Sequence, residues 1–124
     1  VQILEVGCGW GRLMEPLSQY FNIEGCDVSH DLMKLINPSL NAFYWDIVKE
    51  PNPYGDKKWD IVFTRGVLCF FMEDKREMMA AMHSMVGSAN KAVILWEWPE
   101  VIERVNKVFP HQKIVGIPIL HLEE

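Results

Sequence analysis

The opening residues combine an acid with three alternating glycines: Glu5-Val6-Gly7-Cys8-Gly9-Trp10-Gly11, directly after the apolar run Val1-Gln-Ile-Leu. Glycines at the end of a buried strand let the backbone turn tightly, in part at positive φ. They also admit a ligand where a Cβ would block it. Their spacing separates two ligand classes. A dinucleotide loop reads G-x-G-x-x-G, with the third glycine beside a pyrophosphate at a helix start. Here the third glycine comes one residue early, and Arg12 holds its expected place. No other constellation competes with this loop. His30, His83, His111 and His121 are scattered without metal-ligand spacing, and neither a Ser/His/Asp arrangement nor a nucleophile elbow occurs. Cys8 lies inside the loop, where a small side chain suits close packing, and Cys26 points inward on the next apolar run.

Such a loop needs a rigid frame, and the remaining sequence supplies one. Val1 to Val6 reads as a buried strand. Arg12 to Phe21 reads as a short helix with Leu13, Leu17 and Tyr20 on one face. Asn22 to Val28 is a second strand, after which Ser29 caps a helix from Asp31 to Ile36 that Asn37-Pro38-Ser39 stops. Ala42 to Trp45 forms a third strand ending at Asp46, and Glu50 to Lys58, with two prolines, a glycine and four charges, is a loop. Trp59 to Thr64 is a fourth strand. Asp74-Lys-Arg-Glu77 has capping-box spacing and starts a helix through about Val86. That helix turns Met78, Met79, Met82, Met85 and Val86 toward the sheet. Lys91 to Trp96 is a fifth strand, Pro99 opens a helix through Phe109, and Lys113 to His121 is a final strand that Pro118 pushes to an edge. Strands separated by helices predict one domain over residues 1–124. Its class is α/β, with a doubly wound, mostly parallel Rossmann-like sheet of about six strands and helices on both faces.

Composition narrows the partners. The chain has 124 residues and a net charge of −5, so a general affinity for nucleic acid is not expected. No apolar run approaches the ~18 residues of a membrane span. Three cysteines without a secretory signal point to free thiols in a reducing, cytoplasmic setting.

The run E-V-G-C-G-W-G resembles motif I of the class I S-adenosylmethionine-dependent methyltransferases, an acid followed by G-x-G-x-G. The resemblance continues in order along residues 1–70 and implies a set of cofactor contacts. Glu5, Gly7, Cys8, Gly9 and Gly11 form the loop at the methionine end, with Glu5 orienting the loop or meeting the ammonium through water. Asp27, twenty-two residues after Glu5, stands where the family's acid takes both ribose hydroxyls, a paired acceptance that suits a carboxylate. Val28 matches the apolar residue packed on the adenine. Asp46-Ile47 matches the acidic and apolar pair that meets the adenine amino group and ring. Trp59-Asp-Ile-Val-Phe-Thr64-Arg65-Gly-Val-Leu68 looks like the fourth-strand motif leading to the methyl-donor site, which brings Thr64 and Arg65 into the cofactor set. The implied cofactor is S-adenosylmethionine, with S-adenosylhomocysteine as product and no metal.

The same resemblance places substrate-facing residues after the fourth and fifth strands, where Thr64, Arg65, Cys69, Glu97 and Trp98 stand. Arg65 suits a carboxylate or phosphate, Glu97 a base, and Trp98 a stacking wall. Thr64-Arg-Gly-Val lacks the acid-Pro-Pro-aromatic run of amino-directed DNA methyltransferases and is closer to the small-molecule methyltransferases, without the histidine they often carry near Cys69 or Phe70. The expected acceptor is a small molecule. Two alternatives stay open: a non-catalytic cofactor-binding fragment or subunit that needs a partner, and a nucleotide-dependent oxidoreductase. The family's helices before the first strand and its seventh strand have no counterpart in the sequence. A right-handed crossover then gives the strand order 3-2-1-4-5-6. It also leaves an apolar edge from Ile114 to Leu120, blunted by Pro118 and Glu123-Glu124, that predicts a homodimer or a partner chain.

Overall fold

The computed structural model describes residues 1–120. Its strands are β1 (Gln2–Val6), β2 (Asn22–Asp27), β3 (Asn41–Tyr44), β4 (Trp59–Arg65), β5 (Ala89–Glu97) and β6 (Ile114–Pro118). They form one sheet in the order β3-β2-β1-β4-β5-β6, and every neighbouring pair runs parallel. The chain winds outward from β1 to β3, returns to β4 beside β1, and winds the other way to β6. That reversal opens a crevice at the carboxyl ends of β1 and β4. The doubly wound class and the strand order expected from the sequence are the ones adopted.

The helices are α1 (Met14–Leu17), α2 (His30–Met33), α3 (Lys75–Ser88) and α4 (Pro99–Val108), with a 3₁₀ turn at Leu68–Phe71. Alternation along each strand divides the core between the two faces of the sheet. One face carries Leu4, Val6, Val62, Val93 and Leu95, covered by Met78, Met82 and Met85 of α3 and Val101 and Val105 of α4. The other carries Ile3, Ile23 and Phe63, with Met14 and Ile36 over them. The two coverings are unequal. Helix α3 buries Met78, Ala81, Met82, Met85 and Ser88, whereas α1 buries Met14 alone and α2 nothing.

Both short helices are cut back from the expected lengths. Pro16 has no N–H to give to Arg12, and the amides of Gln19 and Tyr20 reach back only to Pro16 and Leu17, which tightens the helix into a turn. Tyr20, expected on the apolar face, is 78% exposed. In α2 the Ser29 hydroxyl caps Leu32 N at 3.2 Å as expected. Leu35 and Ile36 then bond to carbonyls three residues back, so the helix closes early. Asp74 accepts from Glu77 N at 3.1 Å and starts α3, although Met79 faces outward rather than toward the sheet. Strand β6 lies at the edge, paired with β5 alone. His121 and the acids Glu123 and Glu124 lie outside the described residues. Among the described residues no helix is long and apolar enough to cross a membrane.

Candidate functional site

The glycine loop folds by turning its own amides inward. Gly7 N and Cys8 N both donate to Cys26 O, at 2.8 and 3.0 Å, and Gly11 N donates to Cys8 O at 2.9 Å. Gly9 N donates to Asp27 Oδ2 at 2.8 Å, and the other oxygen of that carboxylate accepts from Ser29 N at 2.9 Å. Asp27 therefore joins the loop to the start of α2. Gly7 is required twice over: its φ is +80°, and an added Cβ would run into the Val67 side chain. Gly9, at φ +55°, needs its left-handed backbone more than the space, since a Cβ there would meet only Leu32 at 3.9 Å.

Two cavities open beside the loop. The larger, about 490 Å³, is bounded by Gly7 and Gly9, by Asp27 and Val28 after β2, by Asp46 and Ile47 after β3, and by residues following β4. Asp46 is itself anchored, its Oδ1 accepting from Val48 N and Lys49 N at 3.0 and 3.1 Å. Val28 is 56% exposed and presents a bare apolar surface. The smaller cavity, about 160 Å³, is lined by Glu5, Gly7, Cys8, Arg12, Leu13 and Arg65. Gly7 and Arg65 border both.

Electrostatics at the smaller cavity are unusual. Glu5 is buried at 4% exposure, and its Oε1 has no hydrogen-bond partner. Burial pushes its carboxyl up to about 7, and the nearby charge of Asp27 adds to the effect. The Cys8 thiol is pushed up to about 12, first by burial and then by Asp27 and Glu5, which leaves it inert as a nucleophile. The Arg65 guanidinium lies over the Trp96 ring at 4.5 Å, with its buried Nε unpartnered. Glu5 and Arg65 thus border the same small cavity, each with one buried polar atom that has no hydrogen-bond partner.

Four residues expected at the site do something else. Thr64 is fully buried and its hydroxyl donates to Val6 O at 2.9 Å, tying β4 to β1 without lining either cavity. Gly11 is buried against the Ile36 side chain, which follows α2. Glu97 is fully buried, and its Oε1 accepts from Val67 N and Leu68 N at 2.8 and 2.9 Å, so it holds a loop instead of standing free as a base. Burial raises its pKa, while the backbone donors and Arg65 oppose the rise. Trp98 packs against the core beside β5. Conversely, Leu32 and Trp45 line the larger cavity although no motif marks them, and Gly66, Val67, Phe70 and Phe71, which lie in the segment compared with the fourth-strand motif without being expected at the site, line it too. Phe70 is 80% exposed at the cavity, whereas Phe71 also packs against the core.

A doubly wound parallel sheet, a glycine loop with inward amides and a carboxylate at the end of β2 define a Rossmann-like fold of the class I methyltransferase type. Residues 3–88 match the family model described as "Methyltransferase domain", and the chain belongs to that family. Solved structures with the same fold include SAM-bound CalS10, an amino pentose methyltransferase from Micromonospora echinaspora, with a TM-score of 0.66 and 22% identity over 81% of this chain and 44% of that one. DesVI from Streptomyces venezuelae aligns with a TM-score of 0.65 and 20% identity over 80% of this chain and 44% of that one. A TehB-like SAM-dependent methyltransferase from Corynebacterium glutamicum aligns with a TM-score of 0.67 and 17% identity over 86% of this chain and 64% of that one. The chain thus spans less than half the length of the first two. No curated protein sequence matches it.

Proposed function

We propose that the chain is the cofactor-binding core of an S-adenosylmethionine-dependent methyltransferase acting on a small molecule. The observation that carries this reading is the direction of the loop amides. A pyrophosphate is held by a row of backbone N–H groups at a helix start. Here the amides of Gly7, Cys8, Gly9 and Gly11 are engaged within the protein, and α1 has only four residues. A cofactor without phosphate suits that loop. The donor set fits S-adenosylmethionine in detail. Asp27 borders the larger cavity with acceptor capacity left for ribose hydroxyls, and Val28 and Ile47 offer apolar contact to a base. In the smaller cavity Glu5 would take the ammonium, and Arg12 and Arg65 the carboxylate, of the methionine tail.

A bound sulfonium supplies an already activated methyl group, so alignment and exclusion of water are what the protein must add. Asp27 fixes the loop and the ribose side together through one carboxylate. Arg65, held over the Trp96 ring, orients whatever anionic group reaches it.

Calorimetric titration with S-adenosylhomocysteine, run beside NAD, tests the reading. We expect S-adenosylhomocysteine to bind and NAD not to. NAD binding without S-adenosylhomocysteine binding would establish an oxidoreductase instead. Turnover by the chain against a panel of small acceptors separates an enzyme from a cofactor-binding subunit. A single domain over residues 1–124, a cytoplasmic setting and self-association through β6 belong to the same reading. The free thiols Cys8, Cys26 and Cys69 support the second, and the exposed Val115 and Ile117 on the edge strand support the third.

A further inference from the structure

Strand β5 ends on an acid at a position whose inward neighbours along the strand are Val93 and Leu95. Placing a carboxylate in such a row is costly unless its oxygens find donors. One oxygen, Oε1, finds its donors in the segment that follows β4, while Oε2 is buried without a partner. The first amides of any helical turn lack partners inside the helix, and Glu97 Oε1 satisfies those of Val67 and Leu68 at the start of the 3₁₀ turn. The other bonds of this segment are mostly internal: Phe70 N to Val67 O, Met72 N to Cys69 O, and Cys69 Sγ to Gly66 O. Its one backbone tie to β5 is Gly66 N to Trp96 O at 3.2 Å. Glu97 is thus the main polar anchor between the sheet and residues 66–71.

That segment forms one wall of the larger cavity, through Gly66, Val67, Phe70 and Phe71. The opposite wall, from Asp27, Val28, Asp46 and Ile47, carries the groups suited to a nucleoside. We infer that Glu97 is a positioning residue: its carboxylate holds the 66–71 wall at the distance that leaves room for cofactor and methyl acceptor together. The inference rests on the proposed methyltransferase reading for what the cavity holds, though not for what Glu97 holds. A purely space-filling role would be met as well by an apolar side chain of similar size, which at a buried ionic site is often neutral or stabilising.

Amide hydrogen exchange on the whole chain, with S-adenosylhomocysteine affinity measured alongside, tests this. Glu97→Gln keeps the Oε1 acceptor, so exchange at Val67 and Leu68 and the affinity should both stay within about threefold of the parent. Glu97→Leu removes the acceptor and keeps the bulk. It should raise exchange at Val67 and Leu68 about tenfold or more, leave the β1 and β5 amides unchanged, and weaken the ligand about tenfold. Unchanged exchange at Val67 and Leu68 overturns the inference. So does a uniform acceleration across the sheet, which would make Glu97 a general stabiliser. If Glu97→Leu does not fold, Glu97→Asp decides on the same two criteria, because it draws the carboxylate back by one methylene. If the parent protein binds no S-adenosylhomocysteine, the methyltransferase reading fails, while the exchange pattern still decides what Glu97 holds.

Discussion

Replacing Glu5 by Gln is the most informative single change. The parent carboxyl is pushed from 4.5 to about 7 in the folded protein, and each tenfold change in proton affinity corresponds to about 1.36 kcal/mol. The difference amounts to roughly 3 kcal/mol. Its sign follows from which state binds the proton. Folded Glu5 keeps its proton over a range where the unfolded residue has lost it, so its contribution to stability is full below about 4.5 and is lost as the pH rises through about 7. The Gln variant carries no such titration. Urea unfolding of the ligand-free protein between pH 4.5 and 8 should show the parent losing about 3 kcal/mol more than the variant over that interval. Ligand binding should behave oppositely. An ammonium group beside Glu5 Oε1 favours the ionised form, so S-adenosylhomocysteine should release a proton on binding near pH 6.5, seen as a dependence of the calorimetric heat on the buffer's ionisation enthalpy. The variant should bind more weakly and release none. Parallel stability curves for parent and variant would refute the reasoning, because they would mean that Glu5 is ionised in the folded protein at the same pH as in the unfolded chain.

Other residues make separable predictions. Asp27→Asn can accept from only one of Gly9 N and Ser29 N without opposing an N–H to an N–H, so stability should fall by about 1–3 kcal/mol; affinity for S-adenosylhomocysteine should fall roughly ten- to hundred-fold, and an unchanged affinity in the folded variant removes Asp27 from the site. Gly7→Ala places a methyl on Val67 at a left-handed φ and should lower the thermal midpoint by the equivalent of about 1–3 kcal/mol; an unshifted midpoint would contradict that close approach. Thr64→Val should cost about 1 kcal/mol through the bond lost to Val6 O while leaving affinity unaltered, and a large affinity loss would return Thr64 to the binding site. In sedimentation equilibrium the chain should associate as its concentration rises, and a single species near 14.4 kDa throughout would end the proposal that the β6 edge pairs.

Most strands were legible in the sequence because they are compact apolar runs between breakers, and their order followed from the handedness of parallel crossovers. The ends of the short helices were not. Pro16 is compatible with the first turn of a helix, and only the bonds actually made show that the chain tightens after it. The 3₁₀ turn left no sequence signal, since Val67-Leu-Cys-Phe-Phe has neither strand alternation nor a capping residue. At the site, glycines and acids could be assigned from spacing because their backbone and charge requirements are local. Thr64 and Glu97 could not, because the partner of each lies on another element: Val6 is 58 positions from Thr64, and Val67 is 30 positions from Glu97. An acid inside the otherwise apolar Ile94-Leu-Trp-Glu-Trp98 was the visible trace of a buried acceptor, and its spacing alone could not tell an anchor from a base.

The unequal covering of the two faces of the sheet has a thermodynamic corollary. The side roofed by α3 and α4 has long helices with several buried anchors. The side that positions the glycine loop, Glu5 and the start of α2 is roofed by two single turns sharing Met14 and Ile36. Local opening is least expensive where few apolar contacts must be given up. The fold therefore divides into a durable half and a half that opens first, and the proposed cofactor site spans both, its glycine loop and Asp27 on the second and its Ile47 and Phe71 wall on the first. A cofactor there acts as structural mortar. It closes the free-energy gap between the two halves, so the chain should unfold in a single sharper transition when loaded and begin to open from residues 8–36 when empty.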